Sequence, residues 1–79
     1  MAQAFLFLED AVRGYEALPL RLLPKANEML DHLRPSAEVA ARGRATYGSV
    51  VGREQLVIRF VVRSDVIVVE DISTRVLGR

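Results

Sequence analysis

The side chains able to act on a ligand are concentrated in the second half of the chain. Residues 42–79 hold seven arginines, no lysine and four Asp/Glu, whereas residues 1–41 hold four Lys/Arg and six Asp/Glu. The halves therefore carry formal charges of −2 and +3 within a net charge of +1. A guanidinium grips phosphate or carboxylate through two parallel N–H donors, but its pKa above about 12 makes it a poor general base. Arg44, Arg59, Arg63 and Arg75 can thus hold an anion and stabilise developing phosphoryl charge. Proton transfer in such a site would fall to Tyr47 or Glu70. The plainer use of the same arginines is to solubilise a valine-rich sheet.

Other chemistries find no support. With no cysteine, neither a disulfide framework nor a thiolate nucleophile nor a Cys-based zinc site can form, which suits a reducing, cytoplasmic setting. His32 is the lone histidine and makes no metal site by itself. There is no Gly-x-Ser-x-Gly, Walker-type loop, His-Glu-x-x-His or dinucleotide fingerprint, so neither metal nor cofactor is expected. No apolar run approaches the roughly 18 residues of a membrane span. The N-terminus reaches Glu9 and Asp10 without a basic stretch, so a soluble, non-secreted protein is expected.

The elements that must position these residues are strands. Three β-branched and aromatic runs within residues 44–74 are separated by Gly52-Arg53 and Ser64-Asp65, the pattern of a three-stranded antiparallel meander. That register sets Tyr47 opposite Ile58, Ala45 opposite Phe60, and Phe60 and Val62 opposite Val69 and Ile67, on one apolar face. The other face is expected to carry Arg44, Thr46, Val50, Val57, Arg59, Val61, Arg63, Val66, Val68, Glu70 and Ile72. Arg59 would lie between Thr46 and Glu70, where its ordinary role is a cross-strand ion pair. Glu70 and Asp71 would point to opposite faces, which argues against a carboxylate dyad. An apolar face rimmed by arginines, with no second layer to cover it, offers a surface for a protein segment, a second copy or a phosphate-bearing ligand. A one-residue slip would exchange the two faces.

Residues 1–41 must then cover the Tyr47 face. Ala4 to Leu8 can add an edge strand, after which Glu9 and Asp10 open a helix, Asp10 as cap or both in the first turn. The helix runs to about Leu18 through Ala11, Val12 and Tyr15, weakened at Gly14 by up to about 1 kcal/mol relative to Ala. A second helix either reaches back to Pro19 or begins with Pro24 at its first position; the stripe Leu22, Leu23, Ala26, Met29, Leu30, Leu33 favours the former. Lys25, Glu28 and His32 fall on the solvent side. Pro35 follows, and Ser36–Ala41 reads equally as a helical turn or a connector. The expectation is one α+β domain over residues 1–79, β-α-α-β-β-β, with a helical hairpin packed on one face of an antiparallel meander sheet. At 79 residues its core is small, and a partner or a second copy would add to its stability.

This order and these lengths resemble the RelE/ParE superfamily of toxins from bacterial toxin–antitoxin modules. The likeness covers most of the chain: Phe5–Leu8 as first strand, Glu9–Leu18 and Pro19–Leu33 as the hairpin, and Leu33-Arg34-Pro35-Ser36 leaving it. It is closest over Leu56–Val62, Arg63-Ser64-Asp65 and Val66–Arg75. Arg75 matches the arginine of a terminal His-Arg pair, with Thr74 in the place of the histidine. Arg59 lies two residues beyond the usual strand arginine, where Val57 stands, and Arg44 matches a basic residue entering the second strand. The resemblance implies a cytoplasmic toxin that stops growth by ribosome-dependent mRNA cleavage or by inhibiting DNA gyrase, with a cognate antitoxin as partner. Arg59 and Arg75 would be catalytic, and Arg44, Tyr47, Arg63, Val57, Val61 and Val68 would bind nucleic acid or a partner. The alternative is a non-enzymatic interaction or dimerisation module using the same Val/Arg face.

Overall fold

The computed structural model describes residues 4–39, 43–63 and 66–78, with side chains for all of these except 34–39. The α+β order is as expected: β1 (Ala4–Phe7), α1 (Glu9–Glu16), a 3-10 turn (Leu20–Leu22), α2 (Leu23–Val39), β2 (Arg44–Val51), β3 (Glu54–Arg63) and β4 (Val66–Val76). The strands form one sheet in the order β1-β4-β3-β2. β2, β3 and β4 make the antiparallel meander, and β1 joins its edge parallel to β4. The expected Ser64-Asp65 loop lies outside the described residues, as do Ala40, Ala41 and Arg42 of the expected connector.

Tight turn chemistry sets the β2–β3 register. Gly52 has φ 61°, the left-handed value that a two-residue hairpin turn needs at its first position. Val51 pairs with Glu54, and the ladder then runs unbroken to Arg44 opposite Val61. Tyr47 faces Ile58 and Ala45 faces Phe60, as the alternation requires.

β4 departs from strict alternation. The β3–β4 ladder shifts between Arg59 and Phe60: Phe60 pairs with Val69, whereas Arg59 pairs with Asp71, leaving Glu70 as the extra residue of a β-bulge. Three expectations are corrected by it. Arg59 faces Asp71 rather than Glu70. Asp71 shares the outer face with Arg59 instead of pointing away from it. Ile72 turns inward opposite Ile58 and is 2% exposed, so it belongs to the core. The cause is the pair of adjacent acids, since alternation would drive one carboxylate beneath the helices, a costly burial without a partner. One added residue keeps both carboxylates on the outer side and brings Ile72 in.

The core lies between the sheet and the helices. Leu56, Ile58, Phe60, Ile67, Val69 and Ile72 meet Ala11, Leu18, Ala26, Met29 and Leu33, with Leu23, Leu30, Tyr15 and Tyr47 partly buried around them. Glu9 and Asp10 sit in the first turn of α1, both paired with Arg13; the residue before the helix is Leu8, so Asp10 is not its cap. The competing readings around Pro19 and Pro24 merge: Pro19 caps the 3-10 turn, which passes directly into α2. α2 does not stop before Pro35 but continues through it to Val39, forgoing the hydrogen bond that the proline cannot donate. His32 is exposed, and Lys25 beside Glu28 holds that carboxyl below its ordinary range through a hydrogen bond and its charge.

Gly14 is a contact residue. A Cβ there would fall inside the van der Waals shell of the Ile72 carbonyl oxygen, so only glycine lets α1 settle on β4 just past the bulge. Helix propensity alone favours Gly14→Ala by about 1 kcal/mol. The packing predicts the opposite sign, a net loss of about 1–3 kcal/mol from forced displacement of the helix. Urea unfolding of the two proteins measures it, and an unchanged or raised midpoint would contradict this packing.

Candidate functional site

The outer face of the sheet is built in cross-strand rows. Leu6, Val68, Val61 and Arg44 form one row, and Ala4, Val66 and Arg63 the row beside it. On the other side follow Asp71, Arg59 and Thr46, then Ser73, Val57 and Gly48, then Arg75, Gln55 and Val50. The expected arginines therefore all lie on this face. They do not converge. Arg63 and Arg75 stand four residues from Arg59 and Asp71 along their own strands, each about 13 Å from the central row.

Arg44 and Arg59 do meet, around Glu70. The Arg44 Nε lies 3.0 and 3.2 Å from the two carboxylate oxygens, and the Arg59 Nε is 4.0 Å from one of them. Glu70, the bulge residue, stands outside the ladder beside Arg59, and the Arg44 side chain leans across β3 to reach it. The Glu70 side chain is 15% exposed, whereas those of Arg44 and Arg59 are 72% and 55% exposed. A depression of about 460 Å³ opens here, lined by Leu8, Asp10, Arg44, Arg59 and Glu70. With two cations and two acids in its lining, it is electrostatically balanced. Arg63 and Arg75 form no ion pair among the described residues.

Tyr47 is not part of this constellation. It lies opposite Ile58 and packs on the core, on the far side of the sheet from Arg59. Of the three valines, Val61 is 7% exposed and already covered by its neighbours, while Val57 and Val68 are half-buried. The expected apolar patch is accordingly smaller than the alternation alone implies, and it has lost Ile72 to the core.

A second concavity was not expected from the sequence. It measures about 450 Å³ and lies among β1, α1 and α2, lined by Phe7, Val12, Tyr15, Glu16, Asn27 and Leu30. The Tyr15 hydroxyl donates to Asn27 Oδ1 at 2.7 Å, tying the helices together along it. The available signal was Val12, an apolar residue at the flank of the helix stripe, which is 40% exposed. Comparison of the chain with known protein families, curated proteins and solved structures finds no match.

The Glu70 carboxylate sits where an external anion would bind. Glu70→Gln should release Arg44 and Arg59 and make the chain elute from a heparin column at higher salt. Since both guanidiniums are largely exposed, the accompanying loss of stability should stay within about 1 kcal/mol. Unchanged retention would show that Glu70 does not control these arginines.

Proposed function

We propose that the chain is the toxin of a bacterial type II toxin–antitoxin pair and that it engages its target through the outer sheet face. The observation that carries this reading is the architecture: a helical hairpin covers one face of the meander and leaves the face bearing Arg44, Arg59, Arg63 and Arg75 open. Four arginines against Glu70 and Asp71 make that face cationic, suited to the phosphates of mRNA on the ribosome or to an acidic surface of DNA gyrase.

Within this reading the geometry favours inhibition by binding over RNA cleavage. In-line phosphoryl chemistry needs an anion-stabilising group and a proton acceptor at one reacting phosphate. Here Arg44 and Arg59 share Glu70, Arg75 stands about 13 Å along β4 from the central row, and Tyr47 belongs to the other face. A distributed set of arginines matches an extended contact with a macromolecule. The non-enzymatic interaction module remains the second reading, supported by half-buried Val57 and Val68 between the charged rows.

Inducible expression in a bacterial host, with growth, mRNA 5′ ends and plasmid supercoiling followed together, tests the proposal. Growth arrest is expected, with relaxed plasmid and intact mRNA for a gyrase inhibitor, and new mRNA ends for a ribonuclease. Arg59→Ala and Arg75→Ala should each weaken the arrest at least tenfold in the inducer required. Normal growth of the native host with no antitoxin present would overturn the toxin reading.

A further inference from the structure

Among the described residues the sheet ends at β2, whose outer edge pairs with no strand. The other edge strand, β1, spans four residues, whereas β2 spans eight and carries no bulge, proline or lysine, the usual devices that stop an edge from pairing. The two-residue turn makes Val51 and Glu54 a hydrogen-bonded pair, so Ser49, Tyr47 and Ala45 also spend their backbone groups on β3. The N–H and C=O groups of Arg44, Thr46, Gly48 and Val50 then point away from the sheet, without partners among the described residues.

The helix layer reaches the same edge without closing over it, since α2 comes nearest to β2 among the strands. On the inner side, Leu56, Ile58 and Phe60 of β3 are at most 2% exposed, but their neighbours Ala45, Tyr47 and Ser49 on β2, and Val51 at its end, are only half-buried. On the outer side Val50 is 56% exposed. The edge thus lacks a strand and a strip of core together, and the missing piece is an extended segment with apolar residues toward the helices.

We infer that this segment is the β2 strand of a second copy, paired antiparallel about a two-fold axis at Tyr47, so that two four-stranded sheets become one of eight. Every outward-pointing group is used in this register: Arg44 faces Val50′ and Thr46 faces Gly48′, primes marking the second copy. Ala45 faces Ser49′, and the two Tyr47 rings meet beneath the sheet, where each copy leaves its core half-covered. A two-fold strand pairing needs a strand complementary to itself, and β2 qualifies because no like charges oppose each other. Its only charged side chain, Arg44, leans away from the edge across β3 to Glu70. What it presents to Val50′ is the aliphatic base of the side chain. The glycine at 48 lets the two backbones and Thr46′ come together without a side chain between them.

The test combines mass and geometry on the full chain. Sedimentation velocity should give a species of two chains for the unaltered protein. Thr46→Pro removes one outward N–H and leaves the β2–β3 ladder intact, so it should raise the dimer dissociation constant at least tenfold while circular dichroism stays native. The chain has no cysteine, so a single introduced thiol reports the axis. Residues facing across a non-hydrogen-bonded antiparallel pair have Cα atoms about 4.5 Å apart, within disulfide range. Under mild oxidation Tyr47→Cys should therefore yield a covalent dimer and Ala45→Cys should not, its two copies standing about 13 Å apart. A monomer at every concentration, a dimer indifferent to Thr46→Pro, or preferential cross-linking at position 45 would each overturn the inference.

Discussion

One extra residue in β4 governs much of the molecule. Between Arg59 and Phe60 the ladder slips, and Glu70 is set outside the pairing. Downstream of it Ile72 becomes a core residue opposite Ile58, and its carbonyl is the surface on which Gly14 seats α1. On the outer side the displaced Glu70 becomes the shared partner of Arg44 and Arg59. Core, helix docking and surface charge therefore depend on the same irregularity, whose origin is the cost of placing one of two adjacent carboxylates under the helices.

The consequence for function is that fold and site are not separable parts. Arg44 and Arg59 are near each other because β2 and β3 are adjacent, and the partner they share is Glu70, the residue that the bulge sets outside the ladder. The face they occupy is cationic but locally compensated, with Arg63 and Arg75, which form no ion pair among the described residues, toward its two ends. Such a distribution steers a large anionic partner across the whole face more effectively than it activates one phosphate. α1 reaches that surface through Asp10 at the rim of the depression; Tyr15 with Asn27 and Arg21 with Glu54 brace the hairpin and tie the 3-10 turn to β3.

The helical layer does not seal the sheet at its β2 edge. α1 lies on β4, in line with Gly14, and α2 passes nearest to β2 yet leaves the inner residues of that strand half-buried. A chain of this size has too little apolar surface to wrap four strands completely. The incomplete edge follows from that shortage, and the pairing of two copies inferred above supplies a remedy that requires no other protein.

By itself the sequence determined the α+β order, the three hairpin runs and most of the register, because period-two alternation and Gly52 act locally. It also determined which helix residues face the core: Leu22, Ala26, Met29 and Leu33 are all buried, at the 3.6-residue spacing that a helix imposes. Tertiary structure decided the rest. Read alone, β4 alternates, and only competition for the core put Ile72 in and Asp71 out. Gly14 looks like a weak point in a helix until the Ile72 carbonyl stands against it. Arg59 facing Asp71 while touching Glu70, Tyr47 on the far side from the arginines, and α2 continuing past Pro35 likewise depend on neighbours distant in sequence. Local spacing encodes which way a side chain points within its own element, but which atoms it meets is set by packing between elements.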